Sequence, residues 1–251
     1  MSRTPLSADQ VAAFHRDGYV VCRGYFTSGE MARLIAHARG DDVLESRHLP
    51  ITDAAGRLSK LTLWNDPGDD LYGMFSRCER VVGAMEQLLG GEVYHYHAKM
   101  MLKEPRVGGA WEWHQDYGYW YQNGCLLPDL ASCMVAVDRA TRANGCLQLL
   151  KGSQRMGRVE HGTFGTQTGA DPERVSEAMK RFELIHFEAE AGDALFFHAN
   201  TLHGSAPNTS EHPRWSLIMC YNTRANDPFK DSHHPRYTKL DIVPDAAILT
   251  R

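Results

Sequence analysis

Two hydrophobic spacings divide the chain. Up to about residue 90, apolar positions recur every three or four residues, the spacing of helices with one buried face. Ser7 with Gln10 and Thr27 with Glu30 are capping-box pairs, so a helix is predicted to start at each. Gly18 stops the first. The second places Met31, Leu34, Ile35 and Ala38 on one face and ends at Gly40. Between them, "YVVCRGYF" reads as a short strand. Residues 41–70 are polar and turn-rich, with "NDPGDD" marking a loop, and give no element. A third helix is predicted over 70–89, burying Leu71, Met74, Cys78, Val81, Val82, Met85 and Leu89 and stopping at Gly90-Gly91.

Beyond Gly91 the period becomes two: "EVYHYHAKMMLKE", then 111–117, 131–138, 145–150, 182–188, 194–198 and 214–222. One helix interrupts these strands at "DPERVSEAMKRF", with Asp171 as N-cap and Pro172 at its first position. The expectation is a mainly β protein with flanking helices, a sandwich or barrel carrying the N-terminal helices on one outer face. Residues 1–251 read as a single domain, with 1–90 as helical support, 91–222 as β core and 223–251 as a C-terminal extension.

Composition narrows the partners. The 251 residues are 43% hydrophobic and 23% charged, enough for a full core, and the formal charge of −4 offers no basic field for a nucleic-acid backbone. The N-terminus "MSRTPLSADQ" lacks the apolar stretch of a signal peptide, and no run is long enough to span a membrane. Six cysteines without CxxC pairs suit reduced thiols better than a disulfide framework or zinc site, so the protein is expected in the cytoplasm.

The candidate chemistry lies in "WEWHQDYGYWYQNG", residues 111–124. Alternation along a strand would point His114 and Asp116 to one side and Trp111, Trp113, Gln115 and Tyr117 to the other. Alone the pair is weak, since His15-Arg16-Asp17 repeats its spacing at the end of the first helix, where it reads as a solvated feature. His203 is the best third partner: it sits where the strand "GDALFFHAN" gives way to a turn, whereas His198 belongs to the strand. Arg214 opens the apolar run "RWSLIMCYN", and an arginine there implies an anion close by. Two histidines and one carboxylate occupy one face of an octahedral Fe(II) and leave positions free for other ligands and O₂.

With "WHQD", "NGCLQLLKGSQRMG", "AGDALFFHANTLHGSAPN" and "RWSL", spread over about 90–222, the protein resembles the phytanoyl-CoA dioxygenase (PhyH) family of Fe(II)- and 2-oxoglutarate-dependent oxygenases, which includes ectoine hydroxylase. The resemblance implies a double-stranded β-helix (jelly roll, cupin-like) and metal ligands His114, Asp116 and His203. It gives Arg214 the distal carboxylate of 2-oxoglutarate, with Ser132 and Ser216 assisting. Where many relatives have "PGSH" this protein has Lys151-Gly152-Ser153-Gln154, a turn that supplies no ligand. Asp116 is present where related halogenases carry a small residue, which favours hydroxylation.

The substrate is less legible. Strand 93–103 would place Tyr94, Tyr96, Ala98, Met100 and Leu102 on one face and His95, His97, Lys99, Met101 and Lys103 on the other. If the second face looks into the barrel mouth, His97 or Lys99 meets the acidic end of a substrate or the co-substrate's C1 carboxylate, while Trp120 and Tyr117 cover the opposite, cationic end. That arrangement suits a small zwitterion such as an amino acid, betaine or aminophosphonate. Its rivals are an acyl-CoA hydroxylase, a non-catalytic jelly-roll metabolite binder and a cupin-like isomerase or hydrolase. His161, His186, His233 and His234 read as ordinary surface or loop histidines.

Overall fold

The computed structural model describes residues 6–250 except 42, 43 and 45. Both capping boxes form: Ser7 starts helix α1 (Ala8–Asp17) and Thr27 starts α2 (Ser28–Arg39). Gly18 ends α1 at φ 82°, and a Cβ there would lie 2.4 Å from Gln154 and 2.7 Å from Thr201. Glycine is therefore required both by the backbone and by the close packing.

The predicted third helix is two helices, Leu71–Arg77 and Glu79–Leu89. Cys78, at ψ 143°, breaks the path. There the C-terminal stretch bridges across, with Glu79 N–H donating to Val243 O and Val243 N–H to Arg77 O. Long-range pairing thus overrides an unbroken apolar stripe.

The β body consists of two sheets. The larger runs β1 (Tyr19–Cys22), β11 (Ala194–His198), β6 (Leu130–Ala136), β13 (Arg214–Thr223), β4 (Val93–Lys103), β3 (Leu58–Trp64) and β2 (Leu49–Thr52), with every neighbouring pair antiparallel. The smaller runs β10 (Leu184–His186), β7 (Leu147–Leu150), β12 (His203–Ser205) and β5 (Trp111–His114). A separate hairpin joins β8 (His161–Phe164) to β9 (Gln167–Ala170). This is the expected jelly roll, with one difference in its edges: residues from the helical support region supply β1, β2 and β3 to the larger sheet.

Two cores sandwich that sheet. On its outer face Phe14, Met31, Leu34, Phe75, Val81 and Met85 from the helices meet Met100, Cys133, Phe196 and Met219. On its inner face Met101, Met134, Phe197, Ile218 and Cys220 meet Leu147 and Leu149 of the smaller sheet. The helices brace the larger sheet from behind, leaving its inner face to the site.

Strand β4 departs from the predicted alternation. Its register with β13 slips between Cys220 and Tyr221, so that Cys220 pairs with His97 while Tyr221 pairs with His95. Tyr96 is the extra residue of a β-bulge. Consequently Tyr94 and Tyr96 join the inner core, Ala98, Met100 and Leu102 the outer one, and His95 packs against Tyr221 away from the cavity.

Candidate active site

Strand β5 stops at His114, and Asp116 begins a short helix, Asp116–Trp120. The pair is therefore presented by a strand end and a helix start rather than by one continuous strand. The expected partition of neighbours fails with it, because Gln115 is fully buried between the two. β12 pairs with β5 so that His203 lies opposite His114. His114 Nε2 is 3.6 Å and His203 Nε2 3.8 Å from Asp116 Oδ1, and all three side chains are buried. Candidate ligand atoms of the three lie within 4.8 Å of one another.

The protonation pattern follows from the hydrogen bonds. Each ring donates Nδ1–H to a carbonyl, His114 to Glu112 O at 2.7 Å and His203 to Thr201 O at 2.9 Å. A carbonyl can only accept, so both Nε2 atoms carry lone pairs when the rings are neutral. Burial pushes the His203 imidazole down to about 3. Burial also works to raise the Asp116 carboxyl, but the Lys99 charge and the two histidines outweigh it and hold the group far below the carboxylate range. Three buried electron-pair donors thus face one point with no hydrogen bond among them, an arrangement that a divalent cation satisfies. Ser132 Oγ donates to Asp116 Oδ2 at 3.1 Å, which makes it an orienter of the carboxylate rather than an aid to Arg214.

Arg214 is 3% exposed and has no carboxylate partner among the described residues. Its Nε and one terminal nitrogen donate to Gly145 O at 3.1 and 2.8 Å, and the other terminal nitrogen to Ser216 Oγ at 3.1 Å. Burial lowers its pKa to about 10. Across the register sits Lys103, fully buried, whose ammonium donates to Ser205 Oγ at 2.7 Å and Ala206 O at 2.5 Å. Burial, then the Arg214 charge, pushes Lys103 well below its usual range. Two adjacent buried basic groups whose partners among the described residues are all neutral are a receptor for an anion, which would favour the charged form of both. The sequence reading overlooked Lys103, though its place on the inward face of strand 93–103 signalled it.

A cavity of about 460 Å³ opens beside Asp116, and His97, Lys99, Tyr119, Trp120, Arg158 and His161 are among its walls. Lys99 meets no hydrogen-bond or ion-pair partner among the described residues. His97 and Trp120 both line the cavity, side by side with ring centroids 5.7 Å apart. Tyr117 departs from expectation. Its hydroxyl donates to Leu126 O at 2.6 Å, and its ring lies in the inner core, where it closes the 117–126 loop. Tyr119 lines the cavity instead, its ring 5.4 Å from that of His114.

Two histidines expected at the surface also belong to this region, His234 buried and His161 half-buried. His234 stacks on His97 at 4.6 Å and 15°, and burial lowers it to about 3. His161 Nε2 accepts Gln115 N–H at 2.9 Å while its Nδ1 donates to Val159 O at 2.7 Å. A Cβ on Gly118 would fall 2.2 Å from the His161 ring, so the helix after Asp116 can approach it only with glycine there. His198 accepts Asn200 N–H and packs near Phe14, apart from the triad. In the second HxD copy His15 and Arg16 are exposed, but Asp17 is buried and paired with Arg16 at 2.6 Å, so that part of the solvated reading is corrected.

Among the described residues no helix is long and apolar enough to cross a membrane. The chain is 27% identical to L-proline trans-4-hydroxylase of Streptomyces griseoviridis over 94% of each protein. It is 28% identical to ectoine dioxygenase of Bordetella parapertussis, over 92% of this chain and 80% of that protein. Its fold matches the crystal structure of EctD from S. alaskensis with bound Fe at a TM-score of 0.81 and 23% identity, over 97% of this chain and 89% of that one. Because residues 14–216, triad and Arg214 included, match the model of the phytanoyl-CoA dioxygenase (PhyH) family, the chain belongs to that family.

Proposed function

We propose that the protein is an Fe(II)- and 2-oxoglutarate-dependent dioxygenase that hydroxylates an unactivated C–H bond of a small zwitterionic metabolite of the amino acid, betaine or aminophosphonate type. The observation that carries this reading is the convergence of His114 Nε2, His203 Nε2 and Asp116 Oδ1, buried and without a shared hydrogen. These residues would hold the iron. Together with 2-oxoglutarate and O₂, bound iron supplies the oxidation, which releases succinate and CO₂ and leaves a hydroxyl on the substrate.

The protein's own groups position and shield. Ser132 fixes the Asp116 carboxylate, and the Nδ1 bonds of both histidines fix their rings. Arg214, aligned by Ser216 and Gly145, would take the distal carboxylate of 2-oxoglutarate, with Lys103 beside it. Lys99 and Trp120 both line the cavity, where Lys99 would take the C1 carboxylate or an acidic substrate group and Trp120 would offer a ring face to the substrate. A cavity of about 460 Å³ suits a small metabolite better than the long acyl tail and nucleotide of an acyl-CoA. The L-proline hydroxylase and ectoine dioxygenase relatives support the same size class. We further assign residues 1–251 to one oxygenase domain, working in the reducing cytoplasm, where its six buried free cysteines suit the redox balance.

Anaerobic titration with Fe(II) and 2-oxoglutarate tests this directly. A weak visible charge-transfer band is expected in the wild type and none in His203→Ala. Succinate release on admitting O₂ with a panel of small zwitterions then tests the substrate class. Absence of the band overturns the dioxygenase reading, and stimulation by acyl-CoA esters alone overturns the substrate reading.

A further inference from the structure

Between the turn Ser153–Met156 and β8, residues 157–160 run along the cavity wall in a position fixed by the metal motif itself. Gln115, which separates the two ligands His114 and Asp116, donates its side-chain amide to Gly157 O at 2.8 Å and accepts Val159 N–H at 2.7 Å. Arg158 lies between those anchors. Its guanidinium carbon sits 4.5 Å from the centroid of the Tyr121 ring, and its side chain is 21% exposed. One terminal nitrogen pairs with Glu160. The other is buried without a hydrogen-bond partner among the described residues. Both Arg158 and Glu160 line the cavity that also contains Asp116.

A buried guanidinium nitrogen with no acceptor among the described residues, on a side chain that lines a cavity, is an incomplete recognition site, because leaving such a donor unmade costs more than a bond contributes. Arginine's planar fork takes a carboxylate through two parallel bonds. Glu160, 76% exposed on its side chain, keeps acceptor capacity beyond its bond to Arg158. The wall therefore displays a cation and an anion side by side, hydrogen-bonded to each other. A substrate complementary to that pair bears its own anion and cation equally close together. An α-amino acid does, with carboxylate and ammonium on one carbon.

We propose that Arg158 and Glu160 form the substrate's head-group site, Arg158 taking the carboxylate and Glu160 the ammonium of a free α-amino acid. This rests on the dioxygenase reading above and sharpens its substrate class. With both charged groups held on the 157–160 wall, the carbons left to meet the metal are those of the substrate's side chain. Hydroxylation then falls on one of their C–H bonds, and compounds with a blocked carboxyl or amino group are rejected.

The test uses full-length protein loaded with Fe(II) and 2-oxoglutarate. The proteinogenic α-amino acids, L-proline among them, are screened by substrate-triggered succinate formation and by perturbation of the iron–2-oxoglutarate band under anaerobic conditions. Any responding amino acid is compared with its carboxamide and its N-acetyl derivative. Arg158→Leu is expected to raise the amino acid's KM and its band-perturbation Kd by roughly tenfold or more, the scale of a lost hydrogen bond between charged groups. The KM for 2-oxoglutarate and the band itself stay unchanged. The carboxamide is already weak on wild type and loses little further in the variant, because one interaction is removed in both cases. Glu160→Gln does the same for the amino acid against its N-acetyl form. Arg158→Lys restores part of the affinity, which a merely structural role would not reproduce, and thermal unfolding identifies any variant that has lost its fold. An intact band that no α-amino acid perturbs, or an unchanged KM in a folded Arg158→Leu protein, overturns this proposal alone. Failure of the wild type to form the band overturns the dioxygenase reading and this one with it.

Discussion

Replacing Arg214 by Leu separates the cost of a buried cation from its use. In the folded protein this guanidinium is 3% exposed and, among the described residues, bonded only to Gly145 O and Ser216 Oγ. Its fall from the usual 12.5 to about 10 corresponds to roughly 3 kcal/mol working against the fold. Leucine removes that penalty and leaves the Gly145 carbonyl without its donor, a loss of about 1–3 kcal/mol. The two nearly cancel, so Arg214→Leu without ligand should unfold close to the wild-type temperature. Binding behaves otherwise. Loss of a buried charge pair costs about 2–5 kcal/mol, which at ~1.4 kcal/mol per decade weakens 2-oxoglutarate roughly thirtyfold to several thousandfold. The assay is thermal unfolding with increasing 2-oxoglutarate in the presence of Fe(II). Wild type should gain stability with concentration, about 2.7 kcal/mol at a hundredfold excess over Kd, while the variant gains less than about 1 kcal/mol over the same range. Iron content should be equal in both. An equal 2-oxoglutarate-dependent gain in the variant would refute the assignment of the distal carboxylate to Arg214.

Three further outcomes are expected. His203→Ala and Asp116→Ala should lose iron and all succinate formation, whereas His198→Ala and Asp17→Ala keep both; metal analysis alongside turnover decides, and retained iron in His203→Ala would reassign the ligand. Tyr117→Phe should lower stability by about 1 kcal/mol, the worth of its bond to Leu126 O, with substrate KM unchanged; a raised KM would return Tyr117 to the substrate. His95, His161, His198 and His234 are held neutral by burial, with pKa values lowered to about 4, 4, 4 and 3. The unfolded protein therefore binds protons first as pH falls. Stability should be fully present above about pH 6.5 and decline from there toward pH 4, with a shallower slope in His95→Gln; parallel slopes in urea titrations across that window would count against it.

The parts of this fold that could be read in advance are those governed by neighbours in sequence. Ser7 and Thr27 cap their helices because each partner lies three residues away. The period of two located most of the strands after Gly91, and the triad was legible because His114 and Asp116 stand two residues apart and His203 lies where a strand meets a turn. What escaped was set by distant pairing. The hairpin β2–β3 lies in a polar stretch, since β2 is an edge strand with little to bury. The helix break at Cys78 depends on Val243, more than 150 residues on by the numbering, and the bulge at Tyr96 depends on where β13 slips. His161 and His234 looked like surface histidines because no local pattern marks a residue that a later loop carries inward.

Gln115 shows why the site is more than its ligands. Read as a strand residue, it should have pointed away from the metal and contributed nothing. Because β5 ends one residue earlier, it is turned into the protein and completely buried. Its amide then reaches three backbone groups: Gly157 O and Val159 N–H on the segment bearing Arg158, and Asn200 O on the turn that leads into His203. Its own N–H goes to His161 Nε2, so the ring that borders Gly118 is tied to the same point. A single buried amide thereby links the first two ligands to the segment bearing the third and to the wall proposed to receive the substrate. Shifting any one of these segments would leave at least one of its buried donors or acceptors unmade, at about 1–3 kcal/mol each. The geometry at the metal and the geometry of the substrate wall are for that reason mechanically coupled, and the WHQD motif encodes both.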